Sequence, residues 1–317
     1  RAIAPRVQNT PPARSAEVIP EPPPQLGPFE PRLVRQRKRR ARATFRKAAF
    51  LHQHVATDLA ERLEAIPRQF AQVLVLGGGG LFQEAVAERP ELAARLGALI
   101  QADDADGDVV LDPERLPFAE GVFDLIVSPL ALHSVNDLPG ALIQLRRALK
   151  PDGLLLASVF GGETLKELRF ALLQAESDLT GGAGPRIAPF ADLQDLAHLL
   201  QRAGYALPAA DRDIITVRYG DPMNLLVDLR AMGETAALRE RNPRGLSRRI
   251  LARAFALYAG HFADADDRVR ATFEILTATG WVPHESQQKP LKPGSAKARL
   301  ADALGTEERS AGDKAGS

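Results

Sequence analysis

The chain has no cysteine and a single tryptophan, and aromatic residues make up only 5% of its 317 positions. Without cysteine there can be no disulfide, thiolate metal site or cysteine nucleophile, which suits a reducing compartment. No apolar run approaches the ~18 residues of a membrane-spanning helix, and no hydrophobic signal core is present. The expectation is a soluble protein. Neither HExxH nor GxSxG occurs, so zinc-hydrolase and serine-triad readings have no anchor. None of the six histidines has an acid two residues further on, which argues against the H-x-D/E form of a non-haem iron site. His52 and His54 would point roughly 200° apart on a helix, which disfavours a shared metal and leaves them surface or packing roles. With 41 Lys and Arg against 40 Asp and Glu, the formal net charge of +1 selects no partner by itself.

What the chain does have is 45% hydrophobic residues, enough for one substantial core, set out as alternating strands and helices. Residues 123–160 are the most informative. Leu125, Ile126 and Val127 form an apolar run, residues 138–149 repeat apolar positions at helical spacing, Lys150-Pro151-Asp152-Gly153 breaks them, and residues 154–159 are apolar again. Two apolar strands joined by a helix are what a parallel sheet covered on both faces requires. Upstream, residues 72–76 (QVLVL) read as a strand, Gly77-Gly78-Gly79-Gly80 follow, and residues 81–88 can form a helix. Glycines at such a turn allow positive φ and close approach of the backbone to a ligand. The next strand ends in Asp103, where a carboxylate can accept hydrogen bonds from ribose hydroxyls, and a third short strand at 109–111 ends in Asp112. These features share the carboxyl edge of one sheet, which is where α/β proteins bind ligands. Only residues 104–108 separate Asp103 from Val109, fewer than the ~10–12 of a normal crossover. The join is therefore irregular, or the third strand is lost from the sheet.

The order glycine loop, Asp103, LDPERLPF, FDLIVS, LKPDGLLLAS resembles the class I S-adenosylmethionine-dependent methyltransferases. More narrowly, LALHSVNDLPGALIQLRRALKPDGLLLASVFGGETLKELR and GWVPHESQQKPLKPGSAKARLADALG are similar to the branch of the respiratory complex I assembly factor, described as a methyltransferase or an arginine hydroxylase, and its bacterial methyltransferase-domain relatives. The resemblance implies an α/β fold: a Rossmann-like, doubly wound seven-stranded methyltransferase sheet with a helical lid inserted between the last two strands. It implies S-adenosylmethionine as cofactor, against Gly77, Gly78, Gly79, Gly80, Asp103, Asp112 and Ser128. His133, just past the fourth strand, is the best-placed catalytic base, its plainer alternative being a packing or cap residue. Arg186, Trp281, His284 and Glu285 are implied on the substrate or partner side, and no metal ligand is implied. The partner is a protein substrate or a complex I subunit rather than nucleic acid, in the bacterial cytoplasm or, alternatively, the mitochondrial matrix. The readings left open are an active methyltransferase, which leads; a non-catalytic assembly factor keeping the fold; and a protein arginine hydroxylase or a biotin-pathway carrier-protein methyltransferase. Two departures bear on the cofactor. Val75 stands where the family's first strand ends in an acid bonding around the glycine loop and the methionine amine, and Leu81 replaces the last glycine of G-x-G-x-G. Both imply a weaker hold.

One domain is expected at 29–306, between disordered tails at 1–28, which is proline-rich, and 307–317. The start at Arg1 is expected to mark a fragment or a processed form. Residues 29–70 form a basic helical segment in which Leu51, Val55, Leu59, Leu63 and Ile66 make one apolar stripe, with a helix expected from Phe45. Its run of cations from Arg32 to Lys47 reads first as a solvated helix, and second as a patch for nucleic acid, anionic lipid or an acidic partner. Helices at 221–263 form the lid, and residues 281–299, rich in proline and lysine, are expected on the surface for partner binding.

Overall fold

The computed structural model describes residues 27–103, 107–242 and 245–287. The expected tails, apart from Gly27 and Pro28, and the distal segment beyond Gln287 lie outside these residues. Two helices come first, α1 (Pro31–Ala48) and α2 (Phe50–Glu64). Helix thus begins at Pro31 rather than Phe45, with proline in the first turn where its missing N–H costs nothing. The break falls at Ala49. Leu51, Val55, Leu59 and Leu63 of α2 are fully buried, the four-residue spacing giving one continuous face.

The strands are β1 (Phe70–Leu76), β2 (Leu96–Asp103), β3 (Val109–Val110), β4 (Phe123–Pro129), β5 (Leu149–Phe160), β6 (Ala206–Tyr219) and β7 (Val269–Trp281). They form one seven-stranded sheet in the order β3-β2-β1-β4-β5-β7-β6. β1 to β5 are parallel, and β7 runs antiparallel between β5 and β6. The strand order reverses between β1 and β4, which leaves a crevice at their carboxyl ends. β3 stays in the sheet through two pairs, Ala102 with Val109 and Asp103 with Val110. The expected irregular join is held by Asp108, whose amide donates to Gln101 O and whose carboxylate accepts from the Gln101 amide.

Between these strands lie α3 (Leu81–Ala87), α4 (Pro90–Ala93), α5 (Leu138–Ala148), α6 (Lys166–Thr180), α7 (Leu193–Arg202), α8 (Pro222–Met232) and α9 (Arg248–Phe262). Alternation along the strands divides the core. Val73 and Val75, with Leu125, Val127, Leu154 and Leu156, pack toward α2, α3, α6, α8 and α9. Leu74, Leu76, Ile126 and Leu155 pack toward α5 and α7. Both faces of the sheet are therefore dry, as its apolar runs require. Asp137 caps α5 by accepting from the Gly140 amide, and Asp221 and Ser247 cap α8 and α9 in the same way. α8 and α9 form the helical insertion between β6 and β7; α8 packs on α1, and α9 on α6. Among the described residues no helix is long and apolar enough to cross a membrane.

Candidate active site

β1 hands over to α3 through Gly77–Gly80, and all four glycines have positive φ, from 56° to 84°. At Gly78 a Cβ would meet the Pro129 ring at 2.5 Å, so the turn admits no side chain. The Gly77 amide donates to Ala102 O at 2.8 Å, one residue before Asp103. Asp103 Oδ2 lies 3.7 Å from where a Gly77 Cβ would stand. Loop and carboxylate thus meet at one edge, as their strand-end positions predict. Together they border a cavity of about 410 Å³, whose other walls come from Lys38, Arg42, Phe45 and Arg46 of α1, His52 of α2, and Glu234. Arg46 donates to Gly79 O at 2.9 Å and pairs with Glu84 at 2.6 Å, fastening the basic helix over the loop.

A nucleoside needs a side-chain-free backbone cradle and a carboxylate for its ribose. Gly77, Gly78, Gly79 and Asp103 meet that requirement; Gly80 caps α3 in a left-handed conformation instead. Val75 offers nothing to such a ligand, because its side chain is fully buried in the apolar cluster below the loop, where Leu81 also packs.

A second cavity of about 270 Å³ adjoins the first and shares Lys38 and Glu234 with it. His133, Arg186 and Phe190 line it. The His133 ring is buried against Phe160 at 4.7 Å and Phe190 at 6.0 Å, and its Nε2 lies 2.9 Å from Glu234 Oε2. Glu234 follows Gly233, which ends α8 with φ 86°. That turn carries the carboxylate inward, leaving the side chain 14% exposed. Burial pushes Glu234 up, but the charge and hydrogen bond of His133, with His52 and Lys38, outweigh it and hold the carboxyl below its ordinary range. His52 Nε2 stands 3.8 Å from Oε1. Burial drives His52 down to about 4, opposed by Glu234 and assisted by His133 and Lys38, so it is neutral at pH 7. In the neutral ring, an Nε2–H donated to Glu234 leaves Nδ1 as the lone-pair nitrogen. That Nδ1 is buried and has no hydrogen-bond partner.

The other expected site residues are scattered. Arg186 reaches the second cavity, but its guanidinium is bound to the buried Glu176 through Nε at 2.9 Å. Asp112 turns back on its own loop, accepting from the Glu114 amide, and borders a separate small cavity. Ser128 is fully buried within β4, its hydroxyl unpartnered. Trp281, His284 and Glu285 lie away from the crevice: β7 is antiparallel, so Trp281 pairs with Leu154 at the amino end of β5, the opposite edge from the glycine loop. There Trp281 lies under the Arg68 guanidinium, 5.5 Å from its centre, and the His284 ring bonds Ser286. His52, given a surface or packing role in the sequence, is buried and packs on Phe45, and it also lines the cavity beside the glycine loop. Glu234 and Lys38 had no local signal; one is an acid after a helix-ending glycine, the other one cation in a run of them. Among the described residues no group of three His, Asp or Glu side chains is arranged to hold a metal.

A protein-family model described as a methyltransferase domain matches residues 43–157. The human protein "Arginine-hydroxylase NDUFAF5, mitochondrial" is 39% identical over 264 residues, covering 79% of this chain and 75% of that protein. The chain belongs to the NDUFAF5 family of class I methyltransferase-domain proteins. A malonyl-[acyl-carrier protein] O-methyltransferase of Xylella fastidiosa is a more distant relative, 31% identical over 81% of this chain and 90% of its own. The YcgJ protein of Bacillus subtilis, a solved structure, superposes with a TM-score of 0.48 at 14% identity, over 73% of this chain and 99% of that one. The methyltransferase-domain match takes in His52, the glycine loop, Asp103 and His133. Arg186 and Glu234, by contrast, fall in the part that extends beyond it.

Proposed function

We propose that this NDUFAF5-family protein binds S-adenosylmethionine in the 410 Å³ cavity and directs methyl transfer to a protein side chain entering the 270 Å³ cavity, in the service of respiratory complex I assembly. The observation that carries this reading is the shared wall: Lys38 and Glu234 border both cavities, so a cofactor on the glycine loop and an acceptor beside His133 would be neighbours. The sulfonium supplies the driving force for methyl transfer, and the protein's own task is alignment and proton management. Gly77–Gly79 and Asp103 would hold the nucleoside. His133, oriented by Glu234, offers Nδ1 to a proton that the acceptor sheds. Phe160 and Phe190 fix the ring from the sides and keep water from it. With Val75 and Leu81 in place of an acid and a glycine, affinity for the cofactor is lower than in relatives that keep both.

The compartment we assign is the bacterial cytoplasm, in line with relatives such as that of Xylella, with the mitochondrial matrix as the alternative raised by the human one. A second reading, hydroxylation of an arginine side chain, is favoured by the name those NDUFAF5 proteins carry. Calorimetry of the purified chain with S-adenosylmethionine tests the first step, and Asp103→Ala should abolish the heat. Mass spectrometry of a candidate acceptor then distinguishes an added methyl from an added hydroxyl. No binding heat with wild-type protein would overturn the methyltransferase reading.

A further inference from the structure

Among the described residues bordering the cavity beside the glycine loop, Asp103 and Glu234 are the acids. Asp103 stands at the end of β2 against Gly77, the position from which a carboxylate reaches ribose hydroxyls. Glu234 comes from the turn that ends α8 and lines the same cavity. Its Oε2 is taken by His133 at 2.9 Å. Its Oε1 has His52 Nε2 at 3.8 Å, too far for a hydrogen bond, and His52 is neutral. A mostly buried, ionised carboxylate therefore keeps an acceptor oxygen in a cavity wall. The strand below cannot serve in its place, since Val75 is apolar and sealed in the core.

We infer that Glu234 is the residue that binds the ammonium group of the cofactor's aminoacyl tail, supplying from the helical insertion the negative charge that β1 lacks. This assignment rests on the proposed cofactor reading. Between the two cationic centres of the cofactor, ammonium is the one that a carboxylate can hold without raising the barrier. Positive charge on sulfur disappears as the methyl group leaves, so an anion placed there would stabilise the ground state more than the transition state. The ammonium keeps its charge throughout. One carboxylate then serves both cavities, holding His133 through Oε2 and the cofactor tail through Oε1, and the helical insertion becomes part of the cofactor site.

Calorimetry on the full chain tests the assignment with three ligands, comparing wild type with Glu234→Gln. The substitution keeps the shape and an acceptor for His133 but removes the charge. S-adenosylmethionine and S-adenosylhomocysteine both carry the ammonium; 5′-methylthioadenosine carries neither the tail nor a sulfonium. We expect Glu234→Gln to weaken the first two by about ten- to a hundredfold and to leave 5′-methylthioadenosine unchanged, which also certifies that the nucleoside cradle is folded. Loss of S-adenosylmethionine alone would put the carboxylate at sulfur and overturn the assignment. Unchanged binding of all three, or equal loss of all three, would overturn it as well. Wild-type protein that binds none of the three would instead remove the cofactor reading on which the assignment rests.

Discussion

His52 sits where the apolar stripe of α2 meets the cavity wall, and burial there drives its imidazole from 6.5 down to about 4. Unfolding returns it to water, so between these values the unfolded chain binds more protons than the folded one. Stability is then complete above about 6.5 and is lost as pH falls toward 4. Glu234, whose carboxyl is also held low, adds a loss of the same sign at the acid end. Thermal unfolding followed by circular dichroism should show Tm falling through this window, with a loss on the order of 2–3 kcal/mol from His52. His52→Gln should flatten the slope between pH 6.5 and 5; an unchanged slope would assign it to other groups. Val75 gives a second test at this scale. Its surroundings are wholly apolar, so Val75→Asp buries an acid without a partner and should cost roughly 2 kcal/mol or more in urea unfolding.

At the scale of elements, the glycine turn and α1 depend on each other. Gly78, at φ 73° and with Pro129 2.5 Å from a would-be Cβ, is closed to any side chain. Gly78→Ala combines left-handed strain with a clash and should destabilise by about 1–3 kcal/mol while abolishing cofactor heat in calorimetry. α1 is fastened to the turn by Arg46 and packs on α8, its buried Ala41 lying against Gly233 at the end of that helix. A chain beginning at Ala49 should therefore unfold at lower temperature and lose cofactor binding, whereas a merely solvated basic helix would be dispensable. The outward cations of α1, Arg32, Arg39 and Arg40 among them, remain exposed, which both readings of that segment require.

At the scale of the molecule, the sheet brings together segments far apart in sequence: α1 and α2, the glycine turn, the loop after β4 and the turn after α8. Ligand binding at such a junction should be felt globally. S-adenosylhomocysteine at a hundred times its Kd should stabilise the fold by about 2.7 kcal/mol, read as a rise in Tm by scanning fluorimetry. A Tm independent of ligand concentration would mean that the crevice is not a binding site. The insertion of α8 and α9 contributes Glu234 to this junction, so its removal should erase that shift as well.

The local order of strands, the glycine turn, the Asp137 cap and the α2 stripe were legible in the sequence because each follows from spacing over a few residues: apolar runs, helical periodicity and breakers. So was the meeting of Gly77 with Asp103, because adjacent parallel strands bring their carboxyl ends to one edge. The length of β6 was not, since ALPAADRD has no strand alternation and is extended only through its long antiparallel pairing with β7. The reversed direction of β7 likewise escaped the sequence, and it is what carries Trp281, His284 and Glu285 to the far edge. Nor could spacing reveal Glu234. His52, His133 and Glu234 share no motif and no element, and only the packing of α2, the loop after β4 and the end of α8 places them in contact. Sequence determined which elements form and which edge of the sheet carries the glycine turn and Asp103. The tertiary structure decided which charges meet there, because a buried carboxylate is defined by the side chains around it and not by its neighbours along the chain.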